Sequence, residues 1–154
     1  MLVATRRLFS WNFQFVDDGT VVGEMVRSLW RETAELELAD GSYGFYRDQV
    51  IGGDYVLERN GQIVARASKP SWWRSNLDVE LLKRSVKLRR PSIFMRRFAV
   101  FEGGTRVGFI NPLRLTGSAR IELPSDWTLL DRIFLFWLCS LMWRRQPNWM
   151  IQIT

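Results

Sequence analysis

The chain has 154 residues and a mass of 18.2 kDa, which suits one compact domain and is too short for two ordinary ones. Hydrophobic residues make up 47% of it and the formal net charge is +6, so the composition excludes wholesale disorder. The absence of histidine and the presence of a single cysteine, Cys139, exclude histidine general bases, intrachain disulfides and the usual catalytic zinc sites.

Three stretches of the chain share one pattern, and each is predicted to be a β-hairpin. They cover residues 13–23, 55–65 and 98–108. Each contains an aromatic residue, an apolar residue two positions later, a turn that ends in Gly, and then Val followed by a small residue. A repeated unit of this kind indicates an architecture built from one supersecondary element.

Turn dipeptides give these hairpins a regular spacing. Asn60-Gly61 is typical of a type I′ turn, in which both central residues need positive φ, and a degenerate unit is expected near residue 83. Five hairpins would supply ten or more short strands between residues 2 and 123. The other predicted turns are Asp18-Gly19, Asp40-Gly41 and Gly103-Gly104.

Alternation of apolar and polar residues beside the turns predicts antiparallel strands with one buried face. Trp11, Phe13 and Phe15 are expected to face the core together, while the polar residues between them face water. Residues 34–38 alternate in the same way, with Glu35 among those expected on the wet face.

The pattern then changes to that of a helix over residues 128–145. Thr128 and Asp131 form a short capping-box variant at its start. Residues 133–143 are apolar in every direction, so this helix must be enclosed on all sides or lie in lipid. The apolar run is shorter than the ~20 residues that span a bilayer, which favours burial. A short final strand is predicted over residues 149–153.

These elements together predict an all-β fold with one buried helix in a single domain, residues 1–154. We expect an antiparallel barrel of about ten to twelve strands around the hydrophobic C-terminal helix, since a closed sheet of that size is wide enough to hold a helix. A three-bladed propeller is the rival interpretation. It is less favoured because propellers typically have four to eight blades and do not end in an apolar helix.

Repeated hairpins with Gly turns, followed by a wholly apolar helix, resemble the tubby C-terminal-like superfamily. That superfamily includes tubby, the phospholipid scramblases and the plant LURP-one-related proteins. The resemblance covers residues 2–145 and rests on the three hairpins and on Leu129 to Trp143. It implies a closed twelve-stranded barrel around a hydrophobic helix. It also implies phosphoinositide headgroups as a class of ligand, although no motif here carries the family's binding positions over.

A local excess of positive charge is the main pointer to function. Residues 66–97 hold ten basic and two acidic side chains, so this segment is +8 and the rest of the chain is −2. Most of the cations are arginines, which match phosphate geometry well. Such a segment indicates an anionic partner, or else a solvated face that protects an edge strand.

Within this segment we predict a surface that binds an anion or a lipid headgroup. Two adjacent tryptophans beside cations suit a membrane interface, although one of them could instead belong to the core. A strand near Pro91 would place four alternate residues on one wet face, namely Lys83, Ser85, Lys87 and Arg89. The predicted binding residues are Lys69, Trp72, Trp73, Arg74, Lys83, Lys87 and Arg89.

No catalytic constellation is recognisable, so we expect a binding domain without enzymatic activity, cofactor or metal. Asp17-Asp18-Gly19 lacks the spacing of a calcium loop and is explained by turn chemistry. The leading partner is an anionic membrane surface or a phosphorylated headgroup. The alternatives are a protein-interaction or structural domain and, less favoured, the binding of single-stranded nucleic acid by the same cations.

The predicted location follows from signals that the chain lacks. Polar residues such as Ser10 and Asn12 interrupt the apolar stretch near the N-terminus, so no secretory signal is predicted. No segment has the ~18 consecutive apolar residues of a membrane span. We expect a cytoplasmic protein with a reduced thiol, and its charge is compatible with a peripheral position at the inner membrane surface.

Overall fold

The computed structural model describes residues 1–7, 10–28, 31–48, 53–69, 76–92, 95–113 and 116–144. These residues form twelve strands and one helix. In chain order the elements are β1 (Leu2–Arg6), β2 (Phe13–Asp17), β3 (Thr20–Ser28), β4 (Thr33–Leu38), β5 (Gly41–Asp48), β6 (Asp54–Arg59), β7 (Gln62–Ser68), β8 (Asn76–Glu80), β9 (Ser85–Arg89), β10 (Phe98–Glu102), β11 (Thr105–Pro112), β12 (Ala119–Glu122) and α1 (Leu129–Arg144).

The strands form one closed antiparallel barrel. Each strand pairs with the next along the chain, and β1 closes the sheet by pairing with β12, where Leu2 lies opposite Ile121. Closure leaves no unpaired edge among these strands, so the barrel needs no charged side chains on an edge strand to prevent edge-to-edge aggregation. The predicted barrel of ten to twelve strands is confirmed.

The repeated sequence pattern corresponds to a β-bulge just after each turn. Val16 pairs with Val21 and Phe15 with Gly23, so Val22 is an extra residue in β3. The same shift makes Val64 the extra residue in β7 and Val107 the extra residue in β11. A bulge increases the local twist of a strand, which helps a sheet to close. All three valines pack against the core.

Close contacts between strands explain the small residue that follows the bulge. A Cβ atom on Gly108 would overlap the backbone carbonyl oxygen of Glu122 on the neighbouring strand. A Cβ atom on Gly23 would lie 2.6 Å from the Cδ2 atom of Leu38. Real Cβ atoms do not approach other atoms this closely. Gly108 is therefore required by the backbone of Glu122, whereas at Gly23 the end of the Leu38 side chain has to shift.

Three of the predicted hairpin turns have the expected backbone. Both central residues have positive φ at residues 18–19, 60–61 and 103–104, as a type I′ turn requires. The turn predicted at Asp40-Gly41 is wrong by one residue. Ala39 and Asp40 form that turn, and Gly41 begins β5 opposite Leu38. The degenerate unit expected near residue 83 is the connection of residues 81–84 between β8 and β9.

The helix α1 lies inside the barrel. Residues 131–143 are all buried, and the backbone N–H of Asp131 donates to Thr128 Oγ1 at 3.1 Å, which caps the helix start. Trp137 stacks on Phe45 with ring centroids 5.2 Å apart, and Tyr55 meets it edge-on at 5.9 Å. The enclosed helix is confirmed, while the strand predicted at residues 149–153 lies outside the described residues.

Phe13 and Phe15 face the barrel interior as predicted, but Trp11 does not. Its side chain is 46% exposed, because the strand begins only at Phe13 and Trp11 lies in the preceding connection. The alternation around Glu35 is confirmed, since Glu35 is exposed and its apolar neighbours are buried. Among the described residues, no helix combines the length and the apolar character needed to cross a membrane.

The barrel has two ends that differ in their connections, because successive strands run in opposite directions. The hairpin end carries the beginning of α1, and the loop end carries its last residue, Arg144. The hairpin end has the connections 18–19, 39–40, 60–61, 81–84, 103–104 and 123–128. The loop end has the connections 7–12, 29–32, 49–53, 69–75, 90–97 and 113–118.

Candidate anion-binding site

Charge is distributed unevenly between the two ends of the barrel. The described residues in the hairpin-end connections include two cations and three acidic residues. Those in the loop-end connections include one acidic residue and six cations, so the loop end is the positive one. The loop-end charges are Arg7, Arg31, Lys69, Arg90, Arg96 and Arg97, against Glu32.

Four arginines from distant parts of the chain converge at the loop end. Arg6 ends β1, Arg27 lies near the end of β3, Arg96 precedes β10 and Arg144 ends α1. They line a shallow cavity of about 160 Å³. No carboxylate is found among the described residues that line it, and its remaining lining residues are Trp11, Phe13, Gly117, Ser140 and Trp143. We call this cavity and its four cations the arginine site.

Aromatic rings and backbone carbonyls hold two of these arginines in place. Arg6 Nε donates to the backbone oxygen of Ser10 at 3.0 Å, and its guanidinium stacks on Trp11 at 4.3 Å. Arg27 Nε donates to the backbone oxygen of Trp11 at 2.9 Å, and its guanidinium lies over Phe13 at 4.5 Å. Both arrangements occupy Nε and leave the terminal nitrogens without a hydrogen bond to a described residue.

The positive charges at the arginine site raise one another's electrostatic energy. Burial, followed by the charges of Arg6 and Arg144, lowers the pKa of Arg27 to about 10. Burial also lowers the pKa of Arg96, and its Nε is buried with no hydrogen-bond partner in the described structure. A bound anion would relieve this repulsion and supply the absent acceptors.

Five arginines elsewhere in the described structure have carboxylate partners, in contrast to three members of the arginine site. Arg7, for example, pairs with Glu24 at 3.0 Å, and Arg84 pairs with Glu102 at 3.2 Å. Within the described residues, Arg6, Arg27 and Arg96 form no ion pair with a carboxylate. What distinguishes the arginine site is that three guanidinium groups without a carboxylate partner line one cavity.

The negative C-terminus of α1 offsets part of this positive charge, but not all of it. A helix C-terminus carries roughly half a negative charge, and a cation such as Arg144 in the last turn is stabilising there. Trp143 joins the helix to the site, because its Nε1 donates to the backbone oxygen of Arg96 at 2.5 Å. Half a charge cannot balance the guanidinium groups of Arg6, Arg27 and Arg96, so the site keeps a net attraction for anions.

The structure separates the binding residues that the sequence predicted together. Lys69 follows β7 at the loop end, and Lys83 lies in a hairpin-end connection. Lys87 and Arg89 lie on the outer face of β9, between the two ends. Trp72, Trp73 and Arg74 lie outside the described residues.

The predicted wet strand face is correct for β9 but not for Lys83, which precedes the strand. Ser85, Lys87 and Arg89 are exposed as expected. This face is not a pure row of cations, since Asp78 lies directly opposite Lys87 on β8. The acidic residues neutralise part of the charge, as on an ordinary solvated surface.

The nine cations of residues 66–97 that the structure describes do not form one patch. The reason is geometric, because the segment runs along the barrel and a five-residue strand extends roughly 17 Å. Arg84 is at the hairpin end with Glu102, whereas Arg96 is at the loop end. Arg66 is held near Asp54 at 3.2 Å.

None of the four arginines of this site was among the predicted binding residues, although Arg96 belongs to the cationic segment 66–97. The other three are Arg6, Arg27 and Arg144. Each is one cation in a segment of unremarkable charge, and they meet only because β1, β3 and α1 end at the same place. The signal that could have found them is topological. In an up-and-down barrel, cations next to every second connection share one end.

Other reactive groups in the described structure are few. Among the described residues, no three His, Cys, Asp or Glu side chains cluster as metal ligands. Cys139 is buried in α1, and burial raises the pKa of its thiol well above the ordinary value. This environment suits a packing residue.

Comparisons with known proteins do not assign the chain to a family. No family model matches it, and neither the curated proteins nor the solved structures include a match. A functional assignment therefore has to rest on the barrel, its internal helix and the arginine site.

Proposed function

We propose that this protein is a non-enzymatic binding domain for anionic, phosphate-bearing headgroups at an acidic membrane surface. The observation that supports this is the convergence of four arginines on one cavity without a carboxylate among the described lining residues. Guanidinium groups bind phosphate in a bidentate manner, and a cavity of about 160 Å³ has room for a single small anionic group.

The surroundings of the arginine site suit a membrane interface. Trp11 is partly exposed beside Arg6, and amphipathic rings of this kind occupy the headgroup level of bilayers. The six cations of the loop-end connections would add attraction to an acidic leaflet, at about 1 kcal/mol for each cation near the surface. Lys69 belongs to this proposed surface.

Membership of the tubby C-terminal-like superfamily is part of this proposal. A closed twelve-stranded barrel around an apolar helix is the architecture that the resemblance implied, and it supports the assignment. A cytoplasmic protein at the inner membrane surface would meet acidic lipids directly. Trp72, Trp73 and Arg74 stay predicted contacts of the same surface.

Vesicle sedimentation with paired charge variants tests the proposal. The chain is mixed with phosphatidylcholine vesicles that contain phosphatidylserine or a phosphoinositide, at low and at high salt. Arg6→Gln/Arg96→Gln removes two cations from the arginine site, and Lys83→Gln/Lys87→Gln removes two from elsewhere. Loss of two membrane-facing cations should weaken binding roughly 30-fold, which corresponds to about 2 kcal/mol.

The proposal predicts salt-sensitive binding of the wild-type chain to acidic vesicles alone, weakened only by the arginine pair. Equal binding by both double variants and the wild type would refute the arginine site, and loss only in Lys83→Gln/Lys87→Gln would favour the surface predicted from the sequence. Failure of the wild type to bind any acidic vesicle would refute an acidic membrane surface as the binding partner. Fluorescence anisotropy with inositol phosphates and single-stranded oligonucleotides then separates a soluble phosphate ligand from nucleic acid.

A further inference from the structure

A second cavity lies at the hairpin end, at the opposite end of the barrel from the arginine site. Its volume is about 600 Å³, within the range of about 300–1,000 Å³ that is usual for small-molecule sites. It lies between the first turn of α1 and the hairpins of β2 to β7. We call it the hairpin-end cavity.

Its wall is mainly aliphatic and runs from an exposed rim to a buried interior. Leu82 is 76% exposed and Val21 is 51% exposed at the rim, whereas Leu57 is fully buried. Val22 and Val64, the bulge residues of two hairpins, lie between these extremes. The apolar surface is thus continuous from bulk water into the barrel, which is the shape that a hydrocarbon chain needs.

The cavity exists because the chain covers only part of the hairpin end. The segment that joins β12 to α1 buries Trp127, which packs under Arg84 at 4.3 Å. Arg84 in turn binds Glu102 beside the β10–β11 turn, so that part of the end is closed. No equivalent large side chain of the described residues fills the space beside Leu129 and Leu130.

The polar groups at the cavity mouth are mostly committed to one another. Arg59 donates to the hydroxyl of Tyr43 at 3.0 Å and lies 3.8 Å from Asp40, and that hydroxyl donates to Asp40 at 2.9 Å. Asp131, at the inner side, donates its backbone N–H to Thr128 Oγ1 at 3.1 Å. Lys83 is exposed at the mouth and forms no ion pair with a described residue.

We infer that the hairpin-end cavity binds a long-chain carboxylate, with its hydrocarbon chain inside the cavity and its carboxylate at Lys83. The aliphatic wall would bury the chain, at about fourfold in affinity for each methylene removed from water. Lys83 gives the mouth a cation suited to an anionic head, while Arg59 is already neutralised by Asp40. This inference does not depend on the proposed membrane function, since the arginine site is at the other end.

Titration calorimetry with monomeric laurate, below the concentration at which it forms micelles, is the primary test. Val22→Phe should fill part of the cavity and lower the affinity roughly tenfold, which corresponds to the loss of about two buried methylenes. Val107→Phe is the matched control, because Val107 is the equivalent bulge residue of another hairpin and does not line the cavity. Thermal unfolding of both variants verifies that each is folded.

A second, exposed variant keeps the test informative if Val22→Phe does not fold. Leu82→Glu places a negative charge on the rim without disturbing the core and should also weaken laurate binding. Lys83→Gln should lower the affinity about two- to fivefold, as expected for one exposed ion pair, while Lys87→Gln should not change it. The affinity for methyl laurate, which lacks the charge, should not depend on Lys83.

Several outcomes would overturn the inference. Absence of laurate binding by the folded wild-type chain, or equal weakening by Val22→Phe and Val107→Phe, would remove the hairpin-end cavity as the site. Dodecylamine has a head of the opposite charge, and tighter binding of dodecylamine than of laurate would refute the role of Lys83. Vesicle binding by the arginine site would be unaffected in each case, so failure here is distinguishable from failure of the proposed function.

Discussion

Trp137 provides the sharpest test of a barrel that encloses its own helix. Its side chain is fully buried at the centre of α1 and contacts Phe45, Phe134 and Tyr55 through ring centroids 5.2, 6.1 and 5.9 Å away. Replacing a buried aromatic residue by alanine costs about 3–5 kcal/mol, through lost burial and the cavity that remains. Trp137→Ala should therefore remove a large part of a total stability of about 5–15 kcal/mol.

Trp137→Phe should cost far less, for two reasons. It keeps an aromatic ring in the core, and it removes the indole N–H, which is buried without a hydrogen-bond partner in the described structure. A buried unpartnered polar group costs about 1–3 kcal/mol, which offsets part of the lost packing. We expect the phenylalanine variant to lie within about 1 kcal/mol of the wild type.

Urea unfolding followed by far-ultraviolet circular dichroism measures these differences. Trp11→Ala is the matched control, because it deletes the same side chain from an exposed position and should cost less than about 1 kcal/mol. Equal destabilisation by Trp137→Ala and Trp11→Ala would contradict an enclosed helix. Equal destabilisation by the alanine and phenylalanine variants at position 137 would contradict the role given to the unpartnered N–H.

Two further predictions concern packing and pH. Gly108→Ala should destabilise the barrel by several kcal/mol in urea unfolding, because its Cβ would overlap the carbonyl oxygen of Glu122. Gly44→Ala is the control and should cost less than about 1 kcal/mol, because a Cβ there meets nothing within 4 Å. Similar values for both variants would contradict the close contact. Burial raises the pKa of the Cys139 thiol, so the folded state keeps its proton above the ordinary pKa of 9.0 while the unfolded state loses it. The free energy of unfolding should then fall as the pH rises above 9.0, by up to about 1.4 kcal/mol per pH unit, and Cys139→Ala should lack this contribution; identical pH profiles would contradict it.

Much of the fold could be predicted because its determinants are local. The turn at Asn60-Gly61 depends on two adjacent residues that tolerate positive φ, and the strands beside it show a period of two. The apolar run of α1 requires an enclosure whatever surrounds it. The failed turn at Gly41 fits this view, since Asp40-Gly41 resembles a type I′ dipeptide while strand register with Leu38 moves the turn back by one residue.

The candidate sites could largely not be predicted from the sequence. Lys83 and Lys87 are close in sequence, yet the first lies at the hairpin end and the second on the outer face of β9. Arg6 and Arg144 are distant in sequence, yet they line one cavity. The density of charge along the sequence therefore predicts neither site, because strands place residues that are close in sequence at opposite ends of the barrel.

The amino-acid sequence by itself determined the hairpins, the small residues after each bulge and the apolar helix, since backbone preference and hydrophobic periodicity act over a few residues. Tertiary structure decided the closure of β1 against β12, the convergence of the four arginines and the unfilled space above Leu130. These features depend on strand order, register and barrel width, which bring together groups that share no local pattern.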